Sequence, residues 1–227
     1  MKNITFLVLA VLTCVSGGAF AQYEGKRFLT GSLSLDFNNT NPDISKATHS
    51  YGYNVSTGIG RFKSNTRANV WNLSTSLRAG KGYLTDNSGE TTTISGISSV
   101  GFGVGHAWQF YKHFNDKVGV FASLGPDLSY LYGKQRENNE NYSWDVKSHA
   151  FSLSLGVSAG AYYRLDERWW LTASIGFAQP VAVQFTRRNT QERATGARSH
   201  SNQLNYGFSP SITLPSVGLG LRYFLKD

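Results

Sequence analysis

Cysteine is all but missing from this chain. The only one, Cys14, lies ahead of the expected mature sequence, which excludes a disulfide framework or a thiolate metal centre. Charge is scarce as well, at 16% of residues, below what a water-exposed surface normally carries. After the first segment no apolar run reaches 18 residues, so helical membrane spans are excluded. No ten-residue helical pattern separates the apolar stretches, which removes α/β folds, and no dinucleotide, kinase or zinc-finger spacing occurs. What the chain does hold is 24 glycines and 14% aromatic residues.

The first segment reads as an export signal. Lys2 supplies a positive start, Ile4 to Val15 form an apolar core too short to span a bilayer, and Ala19-Phe20-Ala21 is an A-x-A site. Cleavage is expected between Ala21 and Gln22, giving a signal peptide over 1–21 and one domain over 22–227. Val11-Leu12-Thr13 before Cys14 is a poor lipobox, which argues against a lipid anchor there. Losing Lys2 lowers the net charge from +8 to +7. Export sets aside nucleic acid as a partner despite the basic pI of 9.6.

Everything after Gln22 alternates with period two, the mark of strands with one apolar face. Eight such stretches are expected: Arg27–Asn38, Ser50–Phe62, Ala68–Gly82, Thr93–Phe114, Lys117–Gly133, Ser148–Arg164, Arg168–Phe185 and Gln203–Leu225. Ile97 falls off register and predicts a bulge, and parity changes near Pro215. Short turns at Lys63–Arg67, Asn115–Asp116 and Asp166–Glu167 alternate with longer polar loops at Asn39–His49, Leu84–Thr92, Lys134–Tyr142 and Thr186–Ser201. Even strand number with short turns on one side and long loops on the other predicts an all-β, eight-stranded antiparallel up-and-down barrel of the outer-membrane kind.

The polar face decides against a soluble lipocalin-like binding barrel, which would also alternate. It carries mostly Gly, Ser, Thr and Asn, suited to a cramped lumen, rather than the Lys, Glu and Gln of a wet surface. The apolar face then points to lipid. Phe28, Trp71, Trp108, Phe110, Tyr163, Trp169 and Tyr223 fall near the short-turn ends. Tyr51, Tyr53, Tyr83, Tyr130, Tyr132, Phe185, Tyr206 and Phe208 fall near the long-loop ends. Two such rings read as interfacial girdles. Glycines recur on the strands that run back to the short turns, as in Gly58-Ile59-Gly60-Arg61-Phe62 and Gly156 to Tyr162, where they leave room for larger neighbours.

Several segments carry a family resemblance: Gly31-Ser32-Leu33-Ser34-Leu35, Phe110 to Phe121 around the second short turn, Tyr163 to Leu171 around the third, and Leu219-Gly220-Leu221-Arg222-Tyr223-Phe224. Across essentially the whole mature chain it resembles the outer-membrane β-barrel domain family of the Bacteroidetes type, the small porin-like or OmpX-like barrels. The resemblance implies a Gram-negative cell outer membrane as location. It also implies outer-membrane lipid and glycolipid as surroundings, and the barrel-insertion machinery as a partner.

No catalytic, metal or cofactor site is expected. A hydrolytic pair on one strand face needs His-x-Ser, which is absent around His49, His106, His113, His149 and His200, while His49-Ser50 and Ser148-His149 are adjacent and point to opposite faces. The expected function is a non-enzymatic integral outer-membrane barrel with a structural and surface-display role. The alternative is a lipid A-modifying enzyme, or the soluble binder above. Two constellations stand out. Asp36, Arg78 and Asp127 are expected to face inward as a lumen charge network. Arg187, Arg188, Arg193 and Arg198 are expected on the loop Thr186–Ser201 as a site for anionic glycolipid or an unknown acidic extracellular ligand.

Overall fold

A computed structural model describes residues 23–40, 48–85, 91–138, 143–208 and 216–226, with the side chains at 84–85, 92, 175–179 and 216–217 left aside. The expected signal peptide, its cleavage site and the residue Pro215 lie outside the described residues.

Nine strands are present among the described residues. They are β1 (Arg27–Thr40), β2 (Thr48–Ser64), β3 (Arg67–Thr85), β4 (Thr91–His113), β5 (Val118–Asn138), β6 (Ser143–Arg164), β7 (Trp169–Glu192), β8 (Arg198–Phe208) and β9 (Ser216–Phe224). Each pairs antiparallel with its neighbour. The ring runs from β1 through β7 to β9 and back to β1, eight strands in all. β8 stands outside that ring: it pairs with the outer half of β7, Phe208 opposite Val181 and Arg198 opposite Gln191. The eighth expected strand is therefore two pieces. Outward positions fall on even numbers in β8 (Leu204, Tyr206, Phe208) and on odd numbers in β9 (Leu219, Leu221), the parity change read from sequence.

Alternation sets the two faces. Leu29, Leu33, Leu35, Phe37, Trp71, Leu73, Phe102, Val104, Leu128, Phe151, Leu153 and Leu171 all point out and are exposed. Such a continuous apolar belt is far larger than a soluble monomer tolerates, and it rules out the lipocalin-like alternative. The expected bulge is where Ile97 placed it: the register of β3 with β4 shifts between Arg78 and Ala79, and Ser98 donates its hydroxyl to the Arg78 carbonyl at 3.1 Å.

Two short turns are built by one side chain each. Asn115 Oδ1 accepts from the backbone N–H of Lys117 and Val118, both at 2.8 Å. Asp166 Oδ1 does the same for Arg168 at 2.6 Å and Trp169 at 2.8 Å. These Asx turns reverse the chain in the fewest residues. At the other end the strands run past the predicted limits. Thr186–Ser201 is not a loop but the continuation of β7 and the start of β8, joined by a tight turn with Gly196 at φ +71°. Outside the bilayer a hairpin needs only its cross-strand backbone bonds, so polar sequence extends it without any apolar period.

The seam between first and last strands is short. β1 pairs with β9 only from Phe28 to Ser32. From Leu33 to Thr40 its pairing among the described residues is with β2 alone.

Candidate functional site

The short-turn half of the lumen is filled by rings. Phe28, Phe62, Tyr111, Phe121, Tyr162, Trp170 and Phe224 point inward and are buried, and they pack on one another with Trp170 stacked over Tyr162 at 4.2 Å. The sequence reading puts Phe28 in the girdle. It shares the parity of Thr30 and faces the lumen instead. Paired glycines make room: Phe28 lies opposite Gly60, Phe121 opposite Gly160, and Tyr162 opposite Gly119. A Cβ on Gly160 would come within 2.5 Å of the Phe121 ring, so these close approaches require glycine.

Arg222 enters the middle of this cluster from β9 and is only 2% exposed. Its guanidinium lies over Phe28 at 4.3 Å, with Tyr111, Phe121 and Trp170 between 5.5 and 5.8 Å. It donates to the Tyr111 hydroxyl and, at 3.2 Å, to Gln109 Oε1, which also accepts the Tyr111 hydroxyl proton at 2.5 Å. Ring faces and two acceptors take the place of a counter-ion. A planar, weakly hydrated guanidinium suits this setting where an ammonium would not.

The segment before β1 corks the opening. Tyr23 packs edge-on to Trp170 at 5.2 Å and beside Phe62 and Phe224. Its N–H donates to Asn65 Oδ1 at 2.9 Å. Burial pushes the Tyr23 phenol pKa up, with the Arg164 guanidinium pulling the other way. The Asn65 carbonyl accepts from His113 Nε2 at 2.7 Å. The other ring nitrogen, Nδ1, is hydrogen-bonded with the Tyr162 hydroxyl.

Above the plug lies a polar cavity of about 340 Å³. Its lining includes Ser32, Asn72, Gln109, Ser123, Asp127 and Thr172, and none of the described residues lining it is a histidine.

The expected charge network is not formed. Asp36 and Arg78 occupy one register row with Gly52 between them, both exposed, and Asp127 lies on the row of Thr30, six residues from Asp36 along β1. The ion pairs among the described residues are Arg136–Asp145, Arg188–Glu137 and Arg193–Asp145. Asp36 and Arg78 are exposed toward the outer mouth, and the narrow half that would force pairing is taken by the rings.

Nor do the four arginines form one loop set. Arg187 points outward from β7. Arg188, next along, points inward and binds the Glu137 carboxylate. Arg193 sits 3.8 Å from Asp145 in the turn, and Arg198 opens β8. On the outer face Arg187 lines a groove of about 610 Å³ with Tyr130, His149, Phe151, Phe185 and Asn189, in which the Tyr130 hydroxyl and His149 Nδ1 are 2.8 Å apart.

Sequence reading misses Arg222 and the plug. The signal is present in the doublets Phe110-Tyr111, Tyr162-Tyr163, Trp169-Trp170 and Tyr223-Phe224. Neighbours on a strand face opposite ways, so each doublet sends one ring to lipid and one to the lumen.

The outer membrane protein beta-barrel domain matches residues 7–209. The chain belongs to this family of outer-membrane β-barrels. That places it in the outer membrane, with the apolar belt of the barrel against lipid. Solved structures of similar form include the outer membrane protein OprG from Pseudomonas aeruginosa, 11% identical, covering 91% of this chain and 99% of that one at a TM-score of 0.49. A major outer membrane protein from Thermus thermophilus is 12% identical, with coverages of 89% and 100% and a TM-score of 0.46. The E. coli outer membrane protein W is 11% identical, with coverages of 89% and 98% and a TM-score of 0.36. No curated protein matches the chain.

Proposed function

We propose that this protein is a non-enzymatic outer-membrane barrel closed to through-flow, which supports the envelope and presents its extended outer hairpins and outer face to surrounding lipid. The observation that carries this reading is the plug: rings from β1, β2, β4, β5, β6, β7 and β9 meet around Arg222 and fill the lumen beneath the polar cavity. A barrel of eight strands has little free bore to begin with. The polar cavity above the plug is then a blind vestibule.

Planar-bilayer recording of the purified, refolded chain tests this. The wild type should give no discrete conductance steps, and a Phe28→Ala/Trp170→Ala variant should leak. Wild-type steps of constant size would overturn the reading.

A further inference from the structure

We infer that the outer face of β5–β8 is a binding site for a phosphorylated lipid of the outer leaflet, an inference that rests on the lipid-contacting role proposed above. Cross-strand register arranges this face in rows. Tyr130, Phe151, Phe185 and Leu204 form one row. Tyr132, His149, Arg187 and Asn202 form the next toward the exterior, and Lys134, Lys147, Asn189 and His200 the one beyond. Successive rows on one face are two residues, roughly 7 Å, apart.

The order of chemistry along that direction is that of a lipid. Phe151 and Phe185 are exposed on the lipid side, and the groove they line rises to Arg187. The bond between Tyr130 and His149 fixes the imidazole at the boundary between the apolar and basic rows. Charge is as one-sided as the groove. Outward positions of β5–β8 above the aromatic row carry Lys134, Arg136, Lys147, Arg187 and Arg198 against Asp145 alone, and Asp145 is already engaged by Arg136 at 2.9 Å. The matching outward positions of β2–β4 carry Lys81, whose ammonium sits over the Tyr83 ring at 5.3 Å. No carboxylate within ion-pair distance of Lys134, Lys147 or Arg187 occurs among the described residues. An arginine can grip phosphate by two bonds, with lysines adding point charges around it. A soluble anion would need only the upper rows. Exposed rings directly beneath them make an acylated phosphate the occupant.

The test uses the full mature chain in nanodiscs and native mass spectrometry. Hexa-acyl lipid A is the probe, with phosphatidylcholine and inorganic phosphate as comparisons. Wild type should retain lipid A over phosphatidylcholine. Lys147→Gln/Arg187→Gln should weaken retention by about tenfold or more, and Phe151→Ala/Phe185→Ala should also weaken it. Lys81→Gln should leave it unchanged. Rising salt should loosen the complex, since exposed charges are screened over roughly 8 Å at 0.15 M. Heat-modifiable gel migration of each variant reports whether it has folded. Unchanged retention in the folded Lys147/Arg187 variant, or displacement of lipid A by equimolar inorganic phosphate, overturns the site. Conductance of the same preparations reports on the closed barrel separately, so either proposal can fail without the other.

Discussion

Replacing Arg222 separates the two ways a buried cation can contribute. The guanidinium makes hydrogen bonds to Tyr111 and Gln109 and lies over four rings, with no carboxylate at ion-pair distance among the described residues. Charge-assisted hydrogen bonds contribute about 1.5–3 kcal/mol each, and a desolvated cation–π contact about 2 kcal/mol. Against them stands a desolvation penalty of several kcal/mol for the ion. Arg222→Met removes both sides of this balance, keeps much of the volume, and leaves Tyr111 still bonded to Gln109. Its stability should fall within about 2 kcal/mol of wild type. Arg222→Lys keeps the charge but loses the planar fork and the stacking. An ammonium on a shorter reach leaves an uncompensated buried charge, and this nominally conservative change should cost about 3–5 kcal/mol. Equilibrium urea titration in detergent micelles, followed by tryptophan fluorescence, gives the order wild type, then Met, then Lys. A lysine variant as stable as wild type would falsify the account of a ring-solvated guanidinium.

Three further expectations concern the wall, the glycines and a turn. Leu153, exposed on the lipid side at 54%, should not tolerate Arg, at a cost of about 2–4 kcal/mol near the bilayer midplane; Ser152→Ala on the opposite face should be mild, and equal tolerance in refolding experiments would invert the inside–outside assignment. Gly160→Val should destabilise by about 1–3 kcal/mol through collision with the Ala173 carbonyl and the Phe121 ring. Adding Phe121→Ala should recover part of that loss, so additive effects in the double mutant would refute the contact. Asp166 is held below its ordinary 3.8 by the backbone N–H groups of Arg168 and Trp169. A lowered folded pKa gives stability that is present above 3.8 and lost as pH falls through the lower value. The destabilisation caused by Asp166→Ala, followed by urea titration across pH, should therefore shrink as pH falls below 3.8, and a gap that does not change with pH would count against it.

Strand positions and the lipid-facing residues were legible because burial in lipid on one face writes itself as period two, as Leu29, Leu33, Leu35 and Phe37 show. The bulge at Ile97 was legible for the same reason, as a break in that period. Strand ends beyond the bilayer were not, since Arg187 to Glu192 continue the backbone ladder with no apolar rhythm. The charged constellations failed for a different reason. Parity says which face Asp36, Arg78 and Asp127 share, but register decides whether they meet, and register is a property of pairs of strands. Arg222 and Phe28 are not legible in the alternation, because the polar face is mostly Gly, Ser, Thr and Asn and only its short-turn end is aromatic.

The narrow seam gives the buried arginine a second consequence, for how the wall is completed. β9 meets β1 through five residue pairs only, a contact that by itself holds alignment weakly. Slide β9 by one residue and every side chain changes face: Arg222 would be driven into hydrocarbon and Tyr223 into the lumen. A cation on the lipid side is among the most heavily penalised outcomes in a membrane wall. The strand that finishes the cylinder thus carries its own proofreading. It can settle only where the rings already contributed by the other strands are waiting for its guanidinium.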